Sequence, residues 1–403
     1  MYSSKDINNI CQQLCSFSAM RSLLEDPVYS TLISLLKSIQ HDSGETTESK
    51  ISKYGAFCQE LYFKGGNLST FIRDSILHGD DAIIQLRLRK MSPSPALVKT
   101  LYRELDTLQK VSAITDKDIA QCIDTDIQLP DFDTTPVDIS GTYSQLLNNL
   151  FTKGFGKFAQ YSMFKEKNGV LVPVKEPEFQ PLGSLYGYDL ERRKVLKNTE
   201  ALAAGRDACN VLLYGDAGTG KSSTVKACAA AYFDKGVRLI EISKSRVSQI
   251  PDIVEALQYN PLKFIFFIDD LTFDSNDDDY NALKGILEGN VSGRSNNMVL
   301  YATSNRRHLV KETSEERMGT DLHLNDTLQE TMSLSARFGL TITFQKPEKD
   351  LYLEIVKQLA DERGLAYDSE EELFRKAEAF AIRANGRSPR TAKQFIILSS
   401  IGI

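Results

Sequence analysis

Residues 215–224 read GDAGTGKSST, and this stretch decides the fold of the chain. It follows the apolar run VLLY, which is typical of a buried strand, and it precedes an alanine-rich stretch that is typical of a helix. The glycines let backbone N–H groups approach a ligand closely, because no Cβ atom stands in the way. The order strand, glycine-rich loop and helix, with the spacing G-x-x-x-x-G-K-S, is the arrangement that holds phosphate groups.

Two side chains of this loop have specific roles in such a site. Lys221 would place a cation on the β- and γ-phosphates, and the Ser222 hydroxyl would bind Mg²⁺. The helix that begins near Lys221 would direct its positive end at the same phosphates. We therefore predict a site for ATP and Mg²⁺, with these nucleotide-binding residues: Gly215, Asp216, Ala217, Gly218, Thr219, Gly220, Lys221, Ser222 and Ser223.

Polar residues follow two further apolar strands. KFIFFIDD ends in Asp269 and Asp270, and MVLYATSN ends in Asn305. Ligands of open α/β sheets bind at the carboxyl ends of the strands. We therefore expect Asp269 to hold Mg²⁺, Asp270 to orient or deprotonate an attacking water, and Asn305 to contact that water and the γ-phosphate.

The composition is that of an ordinary globular chain. Of the 403 residues 41% are hydrophobic and 25% are charged, and the formal net charge of −6 disfavours a protein that coats nucleic acid. The six cysteines form no C-x-x-C pair, which indicates buried thiols in a reducing compartment. No apolar stretch reaches the roughly 18 residues of a membrane span, and the N-terminus lacks a signal-peptide pattern. These features predict a cytoplasmic protein.

The periodicity of apolar residues predicts four segments. Residues 1–115 are expected to form a helical N-terminal domain, and residues 116–182 an acidic linker and connecting segment, since 116–138 contains seven aspartates. In residues 183–346 apolar strands alternate with helices, which predicts an α/β domain with a parallel five-stranded sheet covered on both faces. Residues 347–403 are expected to form a helical lid.

Two arginine-containing segments complete the set of motifs. LSARFGL places Arg337 before the last strand, and NGRSPRTAKQF places Arg387 and Arg390 in the final helical segment. Taken in order, the phosphate loop, the two aspartates, the polar strand end and these arginines resemble the AAA+ ATPases. The wider pattern PLGSLYGYDLERRKVLKNTEAL, FIDDLTF, LYATSNRRHLV and RSPRTAKQF is similar to a bacterial group of poorly characterised AAA+ proteins, domain of unknown function 815. Its layout is also similar to the replication-initiator and clamp-loader branch.

This resemblance, which covers about residues 164–398, implies a P-loop AAA+ fold with a three-layer αβα core and a C-terminal helical lid. It implies that Lys221 and Ser222 belong to Walker A, that Asp269 and Asp270 belong to Walker B, that Asn305 is sensor 1 and that Arg390 is sensor 2. It also implies that Arg337 is an arginine finger that reaches the nucleotide of a neighbouring subunit, and hence a homo-oligomer. The implied catalytic residues are Asp270, Asn305, Arg337 and Arg390, and the implied adenine contacts include Tyr186 and Gly187.

One residue departs from the pattern, because most AAA+ enzymes have glutamate where this chain has Asp270. Aspartate is one methylene shorter, about 1.5 Å of reach. Two functions therefore stay open: an ATPase that couples hydrolysis to remodelling of a macromolecular partner, and an ATP-controlled switch or adaptor with little turnover. A small-molecule kinase would not need the arginines or the lid. Residues 1–150 are a candidate partner surface, and the basic residues Arg306, Arg307 and 383–393 give only weak support for nucleic acid.

Overall fold

A computed structural model describes residues 2–40, 43–123, 125–272, 278–288, 297–305, 336–384 and 386–402. The chain divides into two compact units, Met1–Gln160 and Tyr161–Ile403. Arg306 and Arg307 lie outside the described residues. Among the helices that are described, none combines the length and the apolar composition that crossing a membrane would require.

The first unit is built from helices around one apolar core. Local signals set where these helices begin: Ser94 Oγ accepts a hydrogen bond from the backbone N–H of Leu97, and Pro95 occupies the first turn. The helices are α1 (Ser4–Cys15), α2 (Pro27–Ser38), α3 (Thr47–Tyr62), α4 (Leu68–Leu77), α5 (Ala82–Leu88), α6 (Pro95–Ser112), α7 (Asp116–Ile123), α8 (Ile139–Lys153) and α9 (Lys157–Gln160).

The structure differs from the prediction of an acidic linker over residues 116–182. The part of that segment up to Gln160 contains α7, α8 and α9, and Tyr143 and Leu150 are buried in the same core as the preceding helices. Two of its aspartates hydrogen-bond at helix starts: Asp118 accepts from the backbone and hydroxyl of Thr115, and Asp138 caps α8. Aspartate is common at helix starts as well as in solvated linkers, so composition alone could not separate the two.

In the part of the second unit that the structure describes, the sheet has seven strands, so the predicted count of five is wrong. The strands follow the order β2-β1-β4-β5-β6-β3-β7. The five predicted strands are parallel to their neighbours, while β1 extends the sheet beside β4 and β2 returns antiparallel to β1. The strands are β1 (Met163–Lys167), β2 (Val170–Pro173), β3 (Val211–Gly215), β4 (Val237–Glu241), β5 (Lys263–Ile268), β6 (Met298–Ser304) and β7 (Leu340–Phe344).

Helices lie on both faces of this sheet. Ile265, Phe267 and Tyr301 share a core with α10 (Asp189–Ala203) and α11 (Lys221–Ala231). Phe266 and Leu300, which alternate with those residues along their strands, line a cavity together with α12 (Ile250–Leu257) and α13 (Asp278–Leu287). The three-layer α/β architecture is thereby confirmed.

Three helices follow β7 and form the predicted lid. They are α14 (Lys349–Glu362), α15 (Glu370–Arg383) and α16 (Pro389–Ser400). Their apolar faces build a separate core that includes Tyr352, Leu373 and Phe395, and Tyr186 packs against it.

The strand order brings the predicted motifs to one place. Because β3 lies between β6 and β7, and β5 lies beside β6, the loop after β3 ends up close to the residues that follow β5 and β6. The register pairs Tyr214 with Ser304 and Ile268 with Ala302, so the three carboxyl ends lie at one edge of the sheet and β5 ends two residues before β6.

Candidate functional site

The glycine-rich loop joins β3 to α11, and its path requires glycine at defined positions. Gly215 has a φ of 135°, and a Cβ atom there would lie 2.1 Å from the carbonyl oxygen of Phe344. Gly218 has a φ of 78°, and a Cβ atom there would lie 3.1 Å from Ser388 Oγ. These two glycines let the loop pass close to the end of β7 and to the start of α16.

Lys221 begins α11 and is only 6% exposed. Its ammonium group donates hydrogen bonds to the carbonyl oxygens of Gly215 at 2.8 Å and Asp216 at 2.7 Å, and to Asn305 Oδ1 at 3.0 Å. Burial lowers the pKa of Lys221, while the nearby aspartates act in the opposite direction. The cation is therefore held at the loop by neutral oxygens, and anionic oxygens would be stronger acceptors for it.

The two predicted metal ligands are in direct contact. Ser222 Oγ donates to Asp269 Oδ1 at 2.6 Å, and Thr303 Oγ1 donates to the same oxygen at 2.5 Å. A hydroxyl and a carboxylate from neighbouring elements form a set of hard oxygen donors. Mg²⁺ is usually bound by one or two such groups together with water and phosphate oxygens. The residues present therefore fit a magnesium ion.

Asp270 is joined to the same network through Asn305. Asn305 Nδ2 donates to Asp270 Oδ1 at 2.8 Å, so this amide contacts both Asp270 and Lys221. The backbone of Asp270 is left-handed, with a φ of 53°. Aspartate and asparagine are the non-glycine residues that adopt this conformation most readily. This conformation gives a physical reason for aspartate rather than the longer glutamate at this position.

Hydrogen bonds also tie the loop to the segment before the lid and to the last lid helix, α16. Asp216 Oδ2 accepts from the backbone N–H of Lys346 at 2.8 Å, and the backbone N–H of Arg390 donates to the carbonyl of Gly218 at 3.2 Å. Beside them, the Tyr188 hydroxyl donates to the carbonyl of Gln345 at 2.6 Å. A movement of the loop would therefore change the hydrogen bonds that hold the lid and the segment before it.

These groups surround a cavity of about 630 Å³. Apolar lining comes from Leu185, Ile355 and Leu359, and charged lining comes from the loop, the two aspartates, Arg390 and Lys393. A cavity with an apolar lining and a few converging charged groups suits a ligand that carries both a flat base and phosphates.

The structure brings most of the predicted site residues together, and two predicted residues lie elsewhere. Tyr186 lines the cavity, but Gly187 instead packs under the lid: its φ is 73°, and a Cβ atom there would lie 2.7 Å from Ile355 Cδ1. Arg337 lines a different cavity and forms an ion pair with Glu288 at 2.7 Å.

Of the two arginines before and in α16, only one is available to the nucleotide cavity. Arg390 lines that cavity. Arg387 instead donates two hydrogen bonds to the carboxylate of Glu378, at 2.8 and 2.6 Å. This bidentate pair belongs to the lid, and Arg390 is the better candidate for a nucleotide contact.

Thr303 and Lys393 are among the lining residues that the sequence-based prediction lacks. Thr303 is the first polar residue at the end of an apolar strand, two positions before Asn305, so the reasoning that selected Asn305 also applies to it. Lys393 lies three positions after Arg390 on α16, a spacing that places two side chains on one helical face.

A family model described as "Protein of unknown function (DUF815)" matches residues 157–400. The chain belongs to this family. The match spans nearly all of the second unit of the DUF815 chain, including the loop, the aspartates and the lid. Its α/β domain has a strand, a glycine-rich loop and a helix in the order that the sequence predicts. No curated protein matches the sequence.

Solved structures resemble the DUF815 chain only distantly, at 16–17% identity. The Thermotoga maritima RuvB Holliday junction branch migration motor is 16% identical with a TM-score of 0.36, over 55% of this chain and 66% of that one, just under two thirds. The E. coli HORMA:CdnC:Trip13 complex contains a chain that is 17% identical with a TM-score of 0.38, over 55% and 92%. The FIGL-1 AAA domain in complex with ADP is also 17% identical with a TM-score of 0.38, over 56% and 75%.

Proposed function

We propose that this chain binds ATP with Mg²⁺ at the carboxyl ends of β3, β5 and β6 and hydrolyses it, and that turnover drives remodelling of a macromolecular partner. One observation carries this proposal: Ser222 bonds to Asp269, and Lys221 bonds through Asn305 to Asp270, all at the lining of one cavity. A cation, an amide and two carboxylates at the end of a glycine-rich loop form a set of groups suited to phosphoryl transfer.

Each group has a separate task in this proposal. Lys221 binds the phosphates, Ser222 and Asp269 hold Mg²⁺, and Asp270 accepts the proton of the attacking water. Asn305 orients Asp270. Because Asn305 also bonds to Lys221, it fixes the position of Asp270 relative to the bound phosphates. When bound, Mg²⁺ would neutralise phosphate charge.

The contacts between the loop and the lid support coupling of nucleotide state to movement. Asp216 and Gly218 each bond to a backbone group of the lid or of the segment that leads into it. A nucleotide that pulls the loop inward would change the strength of these bonds. It would then favour one lid position over another, because a ligand shifts a conformational equilibrium by its differential affinity for the two states.

The position of Arg337 supports a homo-oligomer in which this residue acts on a neighbouring subunit. Arg337 lines a cavity with Met298 and Gly339, which stand at or before the amino ends of their strands. The nucleotide cavity lies at the carboxyl ends of the same strands. We infer that Arg337 serves the nucleotide of another copy, and that residues 1–150 offer a surface for the remodelled partner.

A second function, an ATP-controlled switch with little turnover, is favoured by one observation. The side chain of Asp270 is shorter than that of glutamate, and its carboxylate is hydrogen-bonded to Asn305. If this bond persists when nucleotide is bound, Asp270 does not reach the attacking water, and the chain binds ATP without consuming it.

One experiment separates the two functions. Molar mass by light scattering and phosphate release are measured on the same samples, with and without ATP, for the wild type and Lys221→Ala. Lys194→Ala, an exposed change on α10, is the matched control. The ATPase predicts steady phosphate release that is lost in Lys221→Ala and kept in Lys194→Ala, with release per subunit rising with concentration. If the wild type binds nucleotide but releases no more phosphate than Lys221→Ala, the ATP-controlled switch is the function that fits.

A further inference from the structure

Thr303 makes three polar contacts at the point where β5 ends. Its hydroxyl donates to Asp269 Oδ1 at 2.5 Å and accepts from the backbone N–H of Asp270 at 3.0 Å. Its own carbonyl accepts from the backbone N–H of Leu271 at 2.7 Å. One residue of β6 therefore contacts three successive residues that follow β5, including both aspartates of the site.

The strand register explains why Thr303 can do this. The paired residues of β5 and β6 end with Ile268 and Ala302. Beyond this pair the ladder stops, and the Thr303 hydroxyl takes the place of a backbone acceptor for Asp270. Thr303 is only 2% exposed. Because its branched side chain is stiff about χ1, the hydroxyl is held in one direction.

These contacts bear on the unusual backbone of Asp270. A left-handed conformation at a non-glycine residue persists where the surrounding structure over-determines it. Here the N–H groups on both sides of that residue, those of Asp270 and Leu271, are bonded to Thr303. Thr303 thus fixes the turn that directs the Asp270 carboxylate toward Asn305.

We propose that Thr303 is the positioning residue of this site, holding Asp269 for Mg²⁺ and Asp270 in its left-handed turn. The inference rests on the proposed function, since it assigns Thr303 to a metal ligand of that site. Partners that hydrogen-bond to a metal-binding carboxylate orient it, and their loss typically lowers metal affinity about 10- to 100-fold. Thr303 itself is not required to touch the nucleotide.

The test is a binding titration that needs no turnover. The dissociation constant of a non-hydrolysable ATP analogue is measured by calorimetry in EDTA and over a series of Mg²⁺ concentrations. The variants are Thr303→Val, which removes the hydroxyl at nearly constant shape, and Thr303→Ser, which keeps it. Thr199→Val is the matched control, because its buried hydroxyl bonds to Val195 and Tyr301, away from the aspartates.

We expect Thr303→Val to need about tenfold more Mg²⁺ for the half-maximal gain in analogue affinity, in line with the loss of a ligand-orienting partner. Thr303→Ser and Thr199→Val should follow the wild type, and all four proteins should bind the analogue equally in EDTA. If Thr303→Val does not fold, Thr303→Ala takes its place with the same expectation.

Three results would overturn the role of Thr303 alone. The first is a wild-type Mg²⁺ dependence in Thr303→Val, and the second is an equal loss in Thr303→Ser. The third is a loss of the same size in EDTA, because that loss would be structural. If the wild type itself gains no affinity from Mg²⁺, the proposed function fails and the role of Thr303 fails with it.

Discussion

The two edges of the sheet in the second unit differ in whether their polar side chains form one hydrogen-bonded set. At the carboxyl edge, Lys221, Asp270 and Asn305 are linked to one another at the lining of one cavity. At the amino edge, Arg337 pairs with Glu288, and its side chain is still 27% exposed. One edge carries a connected set of groups from a single chain, and the other carries a cation far from that set.

This difference shows which part of the proposed mechanism one chain can supply. The strand β7 has five residues, so the two edges are about 16 Å apart at 3.3 Å per residue. That span is longer than an extended arginine side chain. Arg337 therefore contributes to a nucleotide site only if a second copy brings its carboxyl edge to this amino edge.

The largest effect is expected for Arg337→Ala. Turnover should fall about 10³-fold, because an arginine supplied from a neighbour is worth that much or more in phosphoryl transfer, while nucleotide affinity should be nearly unchanged. Phosphate release and calorimetry measure the two quantities. Arg375→Ala, on a lid side chain that is 76% exposed, is the matched control.

A mixing experiment sharpens the contrast between the two edges. Lys221→Ala keeps Arg337 and lacks a working carboxyl edge, whereas Arg337→Ala has the reverse defect. Mixed together, the two inactive variants should recover part of the wild-type turnover, since some neighbours then combine both intact edges. A mixture as inactive as its components would count against action between subunits.

The next effect concerns the carboxyl edge alone. Asp270→Asn keeps the left-handed backbone and an acceptor for Asn305, so binding should be retained while turnover falls about 100-fold or more through loss of the base. Asp270→Glu restores the usual residue, yet it should also be slower than the wild type, because glutamate fits a φ of 53° less readily. Faster turnover in Asp270→Glu would show that reach matters more than backbone conformation.

A smaller effect is expected where the carboxyl edge meets the lid. Asp216→Ala removes the acceptor of the Lys346 N–H group and should weaken nucleotide affinity about fivefold, since one such bond contributes roughly 1 kcal/mol. Hydrogen exchange at Lys346 should accelerate in the same variant. Asp216→Asn keeps an acceptor oxygen and should stay near the wild type, and equal losses in both variants would assign the effect to charge instead.

The smallest effect lies in the lid, away from both edges. Hydrogen bonds from Arg387 lower the pKa of Glu378 in the folded chain. Such a group stabilises the fold above the ordinary glutamate pKa, about 4.3, and this contribution disappears as the pH falls through the lower folded value. Glu378→Gln should therefore lower the Tm at pH 7 by about 2 °C, and this difference should shrink as the pH falls through the folded pKa of Glu378. A difference that does not depend on pH would contradict this.

The sequence predicts the carboxyl edge well because its signals are local. A glycine-rich loop, two aspartates after an apolar run and an amide at a strand end are each visible in a few residues. The parallel order of the strands then brings them together. The backbone of Asp270 and the contacts of Thr303 could not be predicted, because they depend on the level at which β5 and β6 stop pairing.

The missed strand β1 and the predicted acidic linker are two errors of the sequence analysis, and both arise because contacts distant in sequence decide the local structure. MFKEK, the sequence of β1, has three charged residues in five and gives no strand pattern by itself; it is a strand because it lies beside β4. The aspartates of residues 116–138 suggest a linker until their bonds to helix starts are known. Tertiary context decides in both places, and composition does not contain that information.

The first unit shows the limit of prediction from motifs. Its helices bury an extensive apolar core, as the helical periodicity predicts, but no motif of its sequence indicates a ligand or a reaction. Its task in the proposed remodelling therefore has to be found through the partner that it binds.

The central claim, that the carboxyl edge binds ATP with Mg²⁺, is tested most directly by calorimetry of the purified chain. Titration with Mg·ATP should show saturable binding near one site per chain in the wild type. In Lys221→Ala the affinity should fall about 100-fold, because charge-assisted bonds to phosphate contribute roughly 1.5–3 kcal/mol. Absence of binding heat in the wild type, or equal affinity in the two proteins, would contradict the account.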